Sequence, residues 1–454
     1  MVVISDVDAQ LVNDICPHLN VYLLTNDNLH PEFIDTMKHL LPLAAVTLLW
    51  LPTACSGQSA PATVKPGTYR AVLKTKGGEL PFGLDIQPTA GDARTYAVFA
   101  INGNERLPMD PATVQGDSIR IPMALFESEL VAKIDGNLLR GEWRRRRTAQ
   151  QVQTLPFEAQ YGVTYRFKTE GKPAAKANLT GKWATNFGSK TGKVDTVNAV
   201  GVFAQKENKL SGTFLTPTGD YRYLDGNVIG DSLFLSCFDG SHLYLFKARY
   251  DAATKTLTGG QWAGVSGYES WVARLDPEAD LPDPAKLTYL KPGAKTLNFS
   301  FPEPGGKTVS STDPRFKNKV TIVQIMGSWC PNCMDETNFM SPWYKRNKQR
   351  GVELVGLSFE RSPDMAESGP KIERMKQRFK IDYPVALAGT NDKAQASKAL
   401  PDLNAVVAFP TTIFIDKKGQ VRHIHTGFSG PGTGKYYDQY VEEFNRLVDK
   451  LLAE

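Results

Sequence analysis

Two cysteines at positions 330 and 333 have the spacing that does chemistry. They stand in Trp329-Cys330-Pro331-Asn332-Cys333 within a sequence of 454 residues. Ahead of them, Val320–Met326 is a β-branched, apolar run that predicts a buried strand, and Gly327 and Ser328 break it. Behind them, Met340, Trp343 and Tyr344 recur at helical spacing. The pair therefore belongs where a strand feeds a helix, with Cys330 at the helix N-terminus and Cys333 about one turn inside. Free backbone N–H groups and the positive end of the helix dipole then favour a thiolate on Cys330, below the ordinary thiol pKa of about 8.5. Cys333 is placed to attack a mixed disulfide formed at Cys330, which is what a dithiol–disulfide exchanger requires. A zinc site would need a second C-x-x-C or an H-x-x-x-H, and neither follows, so no metal is expected. A purely structural disulfide closing so short a loop would constrain the unfolded chain very little. A peroxidatic cysteine would want a Thr three residues earlier, where this chain has Gly327.

A second element bears on the same chemistry. Phe409-Pro410-Thr411-Thr412 enters the apolar run Ile413-Phe414-Ile415 ahead of Asp416, with a turn at Gly419. X-Pro bonds adopt cis at modest cost, so Pro410 is a candidate cis-proline. W-C-x-x-C after an apolar strand, with F-P-T-T-x-x-x-D downstream, resembles the thioredoxin superfamily, and within it the TlpA/ResA-like membrane-anchored thiol–disulfide oxidoreductases. The resemblance covers residues 296–454. It implies an α/β thioredoxin-like domain, catalysis by Cys330 and Cys333, and a substrate groove shaped by Trp329, Pro331, Asn332 and Pro410. It implies no cofactor beyond the redox-active Cys330–Cys333 disulfide. Where thioredoxin carries a buried Asp this chain has Gln324, and that branch also usually lacks the Asp. Some of its members carry a proton-handling Glu six residues after the first Cys, a position matched here by Glu336; an acid in the first helical turn is also favoured by the dipole alone. Glu360 is a second proton-handling candidate, though its place after the strand Glu353–Phe359 also suits a solvated loop residue. The Pro331-Asn332 pair lacks the His common in strongly oxidising relatives, which favours a reducing couple.

The rest of the chain must carry and position this unit. Hydrophobic residues are 41% and charged residues 22%, an ordinary globular balance, and the length suits about three domains. A net charge of +5, spread along the chain, gives no argument for nucleic acid. Residues 1–36 read as an extension or a mis-assigned start. From Met37, a short basic start, the apolar run Leu40–Leu51 and small residues before Cys55 describe a lipoprotein-type signal over 37–54, with Cys55 the lipidation site. Pro52 stands where that pattern wants Leu. The apolar run is short for a membrane span of about 20 residues. Residues 55–66 are a tether, and 276–295 a proline-bearing linker.

Between them lies an internal repeat. Gly67-Thr-Tyr-Arg-Ala71 matches Gly181-Lys-Trp-Ala-Thr185, and Gly116-Asp-Ser118 matches Gly230-Asp-Ser232, with 49 residues separating the two motifs in each copy. Leu139–Trp143 further matches Thr258–Trp262. Short β-branched and aromatic segments broken by Gly, Asn and Asp turns predict two tandem antiparallel β units, 67–170 and 178–275, each a small barrel or sandwich. Neither shows a catalytic constellation. His242 is alone, and Cys237 reads as a buried strand residue. Arg144–Arg147 is a solvated strand end or a contact for an acidic partner or anionic lipid. Gly430–Lys435 resembles a phosphate loop, but Tyr436 replaces the required Ser or Thr; it reads as the lead-in to an amphipathic last helix. The expected protein is thus a periplasmic, membrane-anchored enzyme with protein disulfide substrates and a membrane electron-donor thiol protein as partners. The alternative is a ligand- or partner-binding lipoprotein with a vestigial scaffold domain.

Overall fold

The computed structural model describes residues 63–147 and 151–454. The expected extension, signal and lipidation site at Cys55 lie outside the described residues.

The first repeat supplies strands β1 (Gly67–Thr75), β2 (Gly78–Thr89), β3 (Asp92–Asn102), β4 (Glu105–Pro108), β5 (Ala112–Gln115), β6 (Ser118–Met123), β7 (Ser128–Asp135), β8 (Leu138–Arg146) and β9 (Val152–Tyr161). The second supplies β10 (Gly181–Phe187), β11 (Ala199–Lys206), β12 (Lys209–Thr216), β13 (Gly219–Asp220), β14 (Leu224–Ile229), β15 (Ser232–Phe238), β16 (Leu243–Asp251), β17 (Thr256–Ala263) and β18 (Gly267–Leu275). In the first, antiparallel neighbours run in sequence order and β1 pairs with β9, closing eight strands into a barrel from which β4 projects as a flap on β3. The second closes the same way through β10 and β18, with β13 as the flap on β12. Closure removes the exposed edges that an open sheet would leave.

The repeated residues do the same work in both copies. Gly116-Asp117 and Gly230-Asp231 are two-residue hairpin turns, and each Gly has a φ of 61°, which a side chain resists. Tyr69 and Trp183 are buried at matching positions, and each donates to the carbonyl four residues earlier: Tyr69 Oη to Lys65 at 2.7 Å, Trp183 Nε1 to Leu179 at 2.9 Å. Trp143 and Trp262 differ. Trp143 fills the first barrel, whereas Trp262 sits outside its own barrel, over Gly77 of the first. The barrels share packing: Phe238, Leu243 and Leu245 join the first core, and Asn102 exchanges hydrogen bonds with the Phe238 backbone.

Residues 276–295 are not a free linker. Thr288 is fully buried, Leu290 bridges Leu403, and Lys291 N donates to the Asp402 carbonyl. After the hairpin β19 (Ser300–Pro302) and β20 (Thr308–Ser310) come β21 (Val320–Met326), α1 (Pro331–Asn347), β22 (Val352–Glu360), α2 (Met365–Phe379), β23 (Val385–Thr390), α3 (Lys393–Ala399), β24 (Thr411–Ile415), β25 (Val421–Thr426) and α4 (Lys435–Ala453). The sheet order is β23-β22-β21-β24-β25, parallel across β23, β22 and β21 and antiparallel beyond. Every residue of β21 is buried, as a central strand requires. Asp364 caps the start of helix α2 by accepting from Ala366 N. Gly430–Lys435 leads into α4.

Candidate active site

The strand β21 ends at Met326, and the chain turns sharply into α1. Gly327 permits the turn: a side chain there would overlap Trp329 Nε1 and crowd the Phe359 carbonyl. Trp329 Nε1 donates to that carbonyl at 2.8 Å, and its ring meets Phe409 edge-on at 5.7 Å. Cys330 is the N-cap of α1, and Cys333 N donates to its Sγ at 3.2 Å. Pro331 takes the first helical position, where a missing N–H costs nothing. Cys330 and Cys333 form a disulfide with Cα atoms 5.3 Å apart. Cys330 is 5% exposed and Cys333 fully buried. Across the groove the Phe409–Pro410 bond is cis, and the Phe409 carbonyl oxygen lies 3.4 Å from Cys330 Sγ. That carbonyl can accept from the thiol once the pair is reduced.

Behind the disulfide is a closed polar cluster. Glu336 is fully buried, one turn after Cys333 on the same face of α1. Its carboxyl accepts from Gln324 Nε2 at 2.8 Å, Thr412 Oγ1 at 2.7 Å and Tyr440 Oη at 2.8 Å. Burial pushes its pKa up to about 7, against the pull of those three donors. Gln324 and Glu336 are thus in direct contact. Glu360 is not a solvated loop residue. It ends β22, is 1% exposed, and accepts from Ser328 N and Oγ at 2.8 Å and from Ser358 Oγ at 2.6 Å. Two donors on the turn before Trp329 and a third on β22 itself explain its burial.

Sequence reasoning missed the residues that the barrels bring here. Arg222, in the loop after β13, is buried and meets three carboxylates: Glu105 of the first barrel at 2.5 Å, Asp239 of the second at 3.2 Å, and Asp335 of α1 in direct contact. Burial pushes the Asp335 carboxyl up, and Arg222 opposes it. Gly430 N donates to Asp220 Oδ2 at 2.7 Å. No local pattern marks Arg222, since its partners Glu105 and Asp335 lie more than a hundred positions away. His242 pairs its Nδ1 with Asp239 at 3.0 Å and stacks on Tyr244. Cys237 is buried and free. In the basic run, Arg144 pairs with Glu142, but Arg145 is buried and donates to the Ser241 carbonyl, so the run is not wholly solvated. Among the described residues no cluster of three or more His, Cys, Asp or Glu could hold a metal ion.

Comparison with known proteins bears on this arrangement. Residues 291–440 match the Redoxin family model. The thiol-disulfide oxidoreductase ResA of Halalkalibacterium halodurans is 24% identical over 165 residues, covering 36% of this chain and 81% of that protein. ResA of Bacillus subtilis is 26% identical over 138 residues, covering 30% and 69%. This chain is a ResA-like member of the thioredoxin superfamily. It is a thiol-disulfide oxidoreductase, and the likeness is confined to the C-terminal third. Among solved structures, the thioredoxin-family thiol:disulfide interchange protein of Chlorobium tepidum TLS is 25% identical, with a TM-score of 0.27, covering 35% of this chain and 96% of that one.

Proposed function

We propose that this ResA-like chain reduces protein disulfides outside the cytoplasm while anchored to a membrane through Cys55. The observation that carries the chemistry is Cys330 at the N-cap of α1, facing the Phe409 carbonyl, with Cys333 buried behind it. In the dithiol form, Cys330 thiolate attacks one sulfur of a substrate disulfide. That S–S bond breaks, and the other substrate sulfur leaves as a thiolate and takes a proton. Cys333, deprotonated in turn, attacks Cys330 Sγ and releases the second substrate thiol. Two electrons and two protons pass to the substrate, and the Cys330–Cys333 disulfide remains for a dithiol donor at the membrane to reduce. Trp329, Pro331, Asn332 and Pro410 shape the groove, and Glu336, with a pKa of about 7, is suited to exchanging a proton with Cys333.

The reducing direction is supported by Pro331-Asn332, which offers no histidine to stabilise the thiolate. Equilibration with glutathione and dithiothreitol buffers tests it: a midpoint near that of thioredoxin, roughly −270 mV, is expected, and one near roughly −120 mV would make the chain an oxidant. Inability to reduce insulin would favour the binding-protein alternative. Export and anchoring are supported by the signal-like run 37–54 before Cys55. No described helix is long and apolar enough to cross a membrane. Mass spectrometry of the native N-terminus should find a lipid on Cys55; an unmodified Cys55 would remove the anchor.

A further inference from the structure

Both barrels reach the catalytic turn. From the second, the β12–β13 hairpin packs on Asn332: a Cβ on Gly219 would overlap its Nδ2, which donates to the Asp220 carbonyl at 3.4 Å. The same hairpin presents its Pro217 carbonyl to Gly427, beside the cis-proline strand. From the first barrel, Leu125 and Phe126 pack on the thioredoxin-like core, and Glu127 pairs with Arg361 at 3.4 Å and Lys371 at 3.1 Å, flanking Trp329. Between these two contacts Pro331 forms part of the wall of a cavity of about 700 Å³, a size that suits a bound ligand. Its apolar lining includes Met109, Met123, Leu125, Phe126, Met334 and Phe379, drawn from the first barrel, α1 and α2.

Each arginine of this cavity already has a partner. Arg222 is held by three carboxylates. Arg374 donates to the Ala124 carbonyl at 3.0 Å, and Arg378 to Asp110 at 3.0 Å. Among the described residues Arg374 has no carboxylate partner, and Asn338 and Gln377 stand at the rim, but most of the lining between them is apolar. Three of the apolar residues named above are methionines, whose flexible thioethers adapt to differently shaped apolar groups.

We infer that this cavity is a substrate subsite: it takes a large apolar side chain next to the cysteine of an extended polypeptide disulfide. The inference rests on the exchange chemistry proposed above and adds a substrate class to it. The two barrels are then walls of the substrate site as well as the scaffold that carries it.

The test uses two disulfide-linked peptides, identical except for Phe or Ser beside the cysteine, and hydroxyethyl disulfide as a small substrate. The native chain should show a kcat/KM for the Phe peptide about tenfold or more above that for the Ser peptide, given the apolar area buried. Asn338→Trp and Gln377→Trp, at exposed helical positions on the cavity rim, should each bring that ratio close to one by filling the space. Equal rates on the two peptides in the native chain, with hydroxyethyl disulfide still reduced, would overturn the subsite alone. So would a preference that neither Trp variant alters. Failure to reduce any of the three would overturn the exchange chemistry and the subsite with it.

Discussion

Glu336 carries the most exposed consequence of any single residue. It is fully buried with a pKa of about 7, against 4.5 in the unfolded chain, and burial is the largest cause. Between those two values the folded state holds the proton that the unfolded state has lost. Stability therefore falls as pH rises through that window, by roughly 3 kcal/mol in all. Glu336→Gln keeps the shape and much of the hydrogen bonding but cannot ionise. Urea denaturation of both forms from pH 4 to pH 8 should show the variant losing less stability across the window, its advantage growing with pH. Parallel curves would mean that Glu336 stays ionised in the fold. The same residue shows what was legible in sequence. Cys330 and Cys333 stood out by spacing and type, whereas Pro410 and Glu336 became candidates through the resemblance to the thioredoxin superfamily. Glu360 was misjudged because a strand's last residue looks like a loop residue until the hydroxyls of Ser328 and Ser358 are seen to face it.

Among the elements, the two barrels give the clearest pairing of sequence with structure. Three short motifs repeated in order were enough to identify the copies, because each fixes something local: a strand start, a two-residue turn, an aromatic anchor. The closing pairs β1–β9 and β10–β18 were not legible, since registry between strands about 90 residues apart leaves no local trace. Trp262 shows the limit, with a matching position and a different partner. The buried hydrogen bond from Tyr69 to Lys65 is expected to contribute about 1 kcal/mol, so Tyr69→Phe should lower stability by that amount in chemical denaturation. Trp183→Phe should cost more, because it also leaves a void in the second barrel. Negligible losses in both would mean that neither residue anchors its barrel.

On the scale of the whole molecule, Arg222 ties the two barrels to the catalytic helix. Its guanidinium is 4% exposed and contacts Glu105, Asp239 and Asp335, one carboxylate from each unit. Removing it leaves these acids facing one another without a cation, a loss of about 3–5 kcal/mol for a buried ion pair broken from one side. Arg222→Met should therefore destabilise the protein by that order, and calorimetry should resolve the thioredoxin-like unit from the barrels as separate transitions. A single transition at the native temperature would show that apolar packing alone couples them. The repeat pattern pointed to two tandem β units ahead of the α/β domain. That they converge on one cysteine pair was hidden, because the convergence depends on side chains that look like ordinary turn and surface residues in sequence.

The account rests on Cys330 as the attacking thiol and Cys333 as the resolving one. Intact-mass analysis of the reduced native chain, Cys330→Ser and Cys333→Ser, each mixed with a disulfide-linked peptide, reads this directly. Native protein should return to an internal disulfide with both peptide thiols released, Cys333→Ser should accumulate one peptide on Cys330, and Cys330→Ser should carry none. A peptide lodged on Cys333 in the Cys330→Ser variant at the native rate, or full turnover by Cys333→Ser, would contradict it.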